Sequence, residues 1–167
     1  MHRVVTNMRT TVLGLTLWAL GCGGQDALTP EVIGQKAFEY LKADRFTDYY
    51  TSLVATPAIV SQTCPGLAGI ERYFELGEGS SRPQEDRFIA CRQAIDFSQA
   101  TLVGVTVVPR TQELAAPECV YTILNVDIVG RVRSGGQEYV FTVPGTMQFI
   151  RGWRVYKRIK DCGPPPP

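Results

Sequence analysis

Three textures of hydrophobic and polar positions follow one another along the chain. Residues 11–20, TVLGLTLWAL, form an apolar run. From Thr29 onward apolar residues recur at helical spacing: Val32, Ile33, Ala37, Phe38 and Leu41, the stripe of an amphipathic helix. Thr29-Pro30-Glu31 supplies an N-cap hydroxyl, a proline at the first helical position and an acid in the first turn. The spacing predicts a helix running to about Ala43. Asp44-Arg45-Phe46 breaks it, and Thr47 to about Val54 reads as a second short helix with Tyr50, Leu53 and Val54 inward. Pro57 starts a third, with Ile59 and Val60 as its apolar residues, before a turn at Cys64-Pro65-Gly66. Leu67, Ile70, Tyr73 and Phe74 add one more amphipathic turn or two. Residues 77–87, GEGSSRPQEDR, read as a loop.

After Cys91 the texture changes. Ile95 to Val108 is rich in β-branched residues and reads as a long strand. Pro109 and the stretch to Pro117 make a connection. Val120, Leu124, Val126, Ile128 and Val132 are apolar at even positions, with Asn125, Asp127 and Arg131 on the opposite, solvated face, the mark of a half-buried strand. Ser134-Gly135-Gly136 is a hairpin turn. Tyr139, Phe141, Val143, Met147 and Phe149 repeat the alternation at odd positions. Pro144-Gly145 interrupts it and predicts a bulge or sharp bend. After a turn at Arg151-Gly152, Trp153, Val155 and Ile159 form the inward face of one last strand, and residues 163–167 form a proline tail. Helices first and an antiparallel meander afterwards define an α+β class. N-terminal helices are expected to pack on a curved antiparallel meander sheet, in a single domain over residues 29–162.

The apolar run near the start has a different role. Arg3 and Arg9 precede it without an acid, and it is too short for a membrane span, which needs ~20 apolar residues. Its end, Ala19-Leu20-Gly21-Cys22, resembles the lipobox of bacterial lipoprotein precursors, with Ala19 where the family favours leucine. The resemblance implies a signal peptide over residues 1–21, cleavage after Gly21, diacylglycerol on the Cys22 thiol and acylation of the new amino terminus. Residues 22–28 then form a tether. The protein would be lipid-anchored in the cell envelope, facing the periplasm or the exterior. Gly23 stands where an aspartate would resemble an inner-membrane retention signal, which favours the outer membrane. An ordinary secretory signal is the alternative.

Loss of residues 1–21 changes the chemistry available. The formal charge of +1 falls to −1, with 15 basic residues against 16 acidic ones, so there is no global case for nucleic acid. The only histidine, His2, leaves with the same segment. Hydrolases that need an imidazole base, and metal sites built on imidazole, are excluded in their common forms. Neither a metal nor a cofactor is implied. Besides Cys22, the chain has Cys64, Cys91, Cys119 and Cys162. An even number in an exported chain predicts two disulfides, with three pairings open.

The order of elements carries a second resemblance. A long first helix is followed by LKADRFTDYYTSL as a break and second helix, then by long strands ending in RGWRVYKR. This looks like the nuclear transport factor 2-like superfamily over about residues 28–160, with a cystatin-like fold as the nearest competitor. The resemblance implies a conical sheet around a cavity. Enzymes of that superfamily often place an aspartate with a histidine or a tyrosine inside the cone. Here only Asp96, Asp127, Tyr40 and Tyr121 could imitate the second version. Asp127 and Tyr121 lie on one strand face but about 20 Å apart, too far to act on one atom. No catalytic set is assigned.

Arg154, Tyr156, Arg158 and Lys160 read as one strand face. Arg154, Arg158 and Lys160 would form a strip for anionic lipid headgroups, a polyanion or an acidic partner. The plainer reading is a solvated outer face near the sheet edge. The expected role is a non-enzymatic module that binds a small apolar ligand in its cone or docks another envelope protein. A histidine-free isomerase or dehydratase-like enzyme is the alternative.

Overall fold

The computed structural model describes residues 28–66, 79–110, 124–149 and 152–166. The segment expected to be a signal peptide, Cys22, Cys119, Tyr121, Tyr73 and Phe74 lie outside them. Helix α1 spans Pro30–Ala43, α2 Phe46–Leu53, α3 Pro57–Thr63 and α4 Ser81–Ala94. Strands β1 (Thr101–Pro109), β2 (Asn125–Ser134), β3 (Gln137–Phe149), β4 (Gly152–Val155) and β5 (Lys160–Gly163) follow. All ladder pairs are antiparallel, in the order β1-β2-β3-β4 with β5 also on β3. The fold is α+β, with helices first and the sheet afterwards.

Local chemistry sets the helix ends as expected. The Thr29 hydroxyl accepts from the Val32 N–H, and Asp44 closes α1 in the left-handed region at φ 55°. Thr56 caps α3 by accepting from the Ile59 N–H. Ile33, Ala37 and Leu41 of α1 are fully buried. Between them, Gly34 lets the helix press on the sheet. A Cβ there would stand 2.6 Å from Val105 Cγ1 and 2.9 Å from Ile128 Cγ2. Val126, Ile128 and Val132 face inward on β2, and Phe141, Val143, Met147 and Phe149 on β3, the phase given by the alternation. Gly135 and Gly136, both at positive φ, make the two-residue turn between Ser134 and Gln137, as twisted hairpins favour.

Aromatic rings pack against one another in the interior. Phe97 packs on Phe38 and Phe141 with ring centroids at 6.2 and 6.5 Å. Tyr49, Phe46 and Phe88 form a second cluster, Tyr49 and Phe88 being 5.4 Å apart. Tyr49 is therefore a core residue. Burial raises its hydroxyl pKa, and that hydroxyl has no hydrogen-bond partner among the described residues.

Three expectations are corrected. The segment read as a loop at 77–87 becomes helical from Ser81. Its buried face, Gln84, Phe88 and Cys91, continues to Ile95 at helical spacing, but so narrow a stripe is masked by the surrounding Gly, Ser and Pro. Tertiary bonds hold the helix instead: Arg92 donates to the Leu41 carbonyl at 2.8 Å and pairs with Asp44 at 2.6 Å. The long strand placed at Ile95–Val108 begins only at Thr101. Before it, Asp96 caps a single turn at Phe97–Gln99 by accepting from the Ser98 N–H. The last strand is two strands, because the chain leaves β4 after Val155 and returns to β3 at Lys160.

Candidate functional site: a basic cleft beside a β-bulge

The break between β4 and β5 originates in β3. Val126 pairs with Thr146 and Ile128 with Val143, so Pro144 and Gly145 together oppose Asp127. This is the bulge that Pro144-Gly145 predicts, with Gly145 at φ 58°. A bulge leaves a backbone N–H without a ladder partner. Here the Gly145 N–H donates to Asp127 Oδ1 at 2.9 Å. Beyond the bulge the Tyr156 N–H still reaches the Gly145 carbonyl at 3.2 Å, and then the chain swings away. The Lys157 stem lies over Gly145, where a Cβ would come within 2.9 Å of its Cγ. The chain rejoins β3 through a second irregularity, with Thr142 opposite Lys160 and Val140 opposite Gly163, and Asp161 at φ 53° between them.

The gap so formed is a cleft of about 440 Å³ lined by Arg87, Arg110, Pro144, Lys157, Arg158, Ile159, Lys160 and Asp161. Five cationic side chains thus face one carboxylate. Arg110, just past β1, donates to Asp127 with Nε and Nη2, each at 2.6 Å. Asp127 is half-buried beneath it. Burial alone would raise the Asp127 pKa. The bonds from Arg110 and Gly145, with the charges of Arg110 and Lys160, outweigh it and hold the carboxyl below its usual range. The same bond raises the Arg110 pKa. Asp127 is therefore not the solvated residue that its polar strand face suggests. It fixes the bulge and one guanidinium of the cleft at once. Lys160 pairs with Asp161 at 3.1 Å, with both side chains exposed.

Of the strip expected at Arg154, Arg158 and Lys160, the cleft takes Arg158 and Lys160. Arg154 does not line it; its Nη1 donates to the Trp153 carbonyl at 2.7 Å, and burial lowers its pKa. The strip fails as a single face because the strand ends at Val155. Arg87 and Arg110 have no signal in the sequence pattern: one lies in the segment read as a loop, the other in a connection. Asp96 is exposed and occupied as a cap. The Tyr40 hydroxyl accepts from Ser52 Oγ at 3.2 Å, so neither residue forms a pair with Asp127.

Cys91 and Cys162 form a disulfide that ties α4 to β5, one helical turn beyond Arg87 and two residues beyond Lys160. Cys64 is also disulfide-bonded. Among the described residues no group of three His, Cys, Asp or Glu could hold a metal ion, and no helix is long and apolar enough to cross a membrane. No family model, curated protein or solved structure matches the chain.

Proposed function

We propose that the mature protein is a lipid-anchored component of the cell envelope, held by acyl chains on Cys22, whose domain is a non-enzymatic binding module for an anionic partner. The observation that carries the binding role is the cleft, with five cations around one carboxylate. Phe97, packed between Phe38 and Phe141, occupies part of the interior, which favours this surface over an apolar ligand in the cone. Asp127 already accepts three hydrogen bonds, from Arg110 and Gly145, and neither Asp96 nor Tyr40 pairs with it, so nothing among the described residues supports the alternative of a carboxylate-and-tyrosine enzyme. The helices-then-sheet order is compatible with a nuclear transport factor 2-like cone.

Native mass spectrometry of the chain taken from its own membrane tests both parts. Denatured, it should carry diacylglycerol and an acyl chain, both lost in Cys22→Ala. Under native conditions it should retain an anionic molecule or acidic protein that Lys157→Glu releases. A neutral apolar molecule retained equally by both forms would move the site into the cone and end the cleft reading.

A further inference from the structure

The cleft's cations reach it from three directions: Arg87 from α4, Arg110 from the end of β1, and Lys157, Arg158 and Lys160 from the β4–β5 passage. A planar carboxylate offers two oxygens in one plane and suits a single guanidinium fork. A tetrahedral oxyanion offers oxygens to several walls at once, and guanidinium groups bind it through paired N–H donors. Charge points the same way. Of the lining cations Arg110 is paired with Asp127 and Lys160 with Asp161, and Arg87 and Lys157 bring two further positive charges. One monoanion leaves half of that charge uncompensated, whereas a ligand with two charges balances it. The volume lies in the ordinary range for small ligands, ~300–1,000 Å³. Arg110 is also preorganised, since Asp127 holds its Nε–Nη2 edge and leaves Nη1 for a ligand.

We propose that this cleft is a site for a phosphate-class anion bearing at least two negative charges, a phosphomonoester, a diphosphate or two neighbouring phosphodiesters. The inference rests on the cleft being the binding site and adds the chemistry of the ligand. Such a group could belong to a soluble molecule or to a lipid headgroup in the bilayer that holds the anchor, and the test separates the two.

The experiment is calorimetric titration of the mature, lipid-bearing chain in neutral detergent with inorganic pyrophosphate, inorganic phosphate and citrate. Pyrophosphate should saturate one site per chain, at least tenfold more tightly than citrate, with inorganic phosphate between them. Arg87→Gln and Lys157→Gln alter exposed side chains, so both variants should keep the wild-type circular dichroism. Each should weaken pyrophosphate about fivefold, the scale of one exposed charge pair. Citrate binding as tightly as pyrophosphate would overturn the phosphate assignment and leave the anionic cleft standing. No saturable binding of any of the three would overturn both. The pyrophosphate titration is then repeated in phosphatidylcholine vesicles with and without phosphatidic acid. Suppression by phosphatidic acid assigns the phosphate to a headgroup, and an unchanged titration assigns it to a soluble ligand.

Discussion

Replacing Asp127 by asparagine separates the charge of this carboxylate from its geometry. In the wild type Arg110 donates twice at 2.6 Å and the Gly145 N–H once at 2.9 Å. An amide keeps the oxygen that accepts from Gly145 and from Arg110 Nε but turns N–H donors toward Nη2, so the charge pair with Arg110 is lost. Hydrogen bonds to charged groups contribute ~1.5–3 kcal/mol. The Arg110 side chain retains 34% of its exposure, and screening brings the pair down to ~1 kcal/mol. Asp127→Ala also strips the bulge of its acceptor, adding ~1–2 kcal/mol. Urea denaturation of the protein with its disulfides intact reads both costs. A carboxyl whose folded pKa lies below its unfolded one contributes fully above the unfolded value. That contribution is lost as the pH falls through the folded value. The gap between wild type and Asp127→Asn should therefore be full at neutral pH and close as the medium is acidified below 3.8, the ordinary value for the group. An asparagine variant as stable as wild type at neutral pH, or a gap unchanged by acid, would refute the assignment of Asp127 as the counterion that holds Arg110.

The remaining expectations concern packing and cross-links. A Cβ at Gly130 would stand 2.2 Å from two ring carbons of the fully buried Phe141, so Gly130→Ala should lower stability by ~1–3 kcal/mol, seen as a lower urea midpoint at unchanged slope. Joint Cys91→Ala and Cys162→Ala removes a bridge across a separation of 71 residues; chain entropy sets the loss at up to ~4 kcal/mol. Should the double variant keep the wild-type midpoint, the bridge would be structurally idle. Non-reducing peptide mapping should join Cys64 to Cys119, and a Cys22–Cys64 peptide would instead exclude the lipid on Cys22.

The regular parts of this fold were legible because single residues announce them. Thr29-Pro30 starts α1, Gly135-Gly136 turns the hairpin, and the even-to-odd switch across it sets which faces of β2 and β3 are buried. Pro144-Gly145 announced the bulge but not its consequence, which depends on Asp127 standing opposite in the ladder. Helix α4 was hidden because Arg92 and the Cys91 bridge hold it from outside its own sequence. The same dependence hid the cleft. Arg87 and Lys160 are far apart along the chain and meet only through α4 and β5, while Arg154, closest in sequence to the others, is turned away when β4 ends. Pairing Cys91 with Cys162 required the same tertiary knowledge, since all three connectivities satisfy the cysteine count.

The order of elements, helices α1 to α4 before any of the strands β1 to β5, has a kinetic consequence. A chain made from its N terminus exposes the Ile33, Ala37 and Leu41 face of α1 long before β1 and β2, which cover it, exist. The longest of these helices has 14 residues, and isolated helices below ~12–15 residues are marginal in water. Little durable structure can therefore form until β3 has gained β5, the last of these strands to be made. Contacts of such high sequence separation form slowly. The emerging polypeptide stays accessible to chaperones until the last of these strands is made.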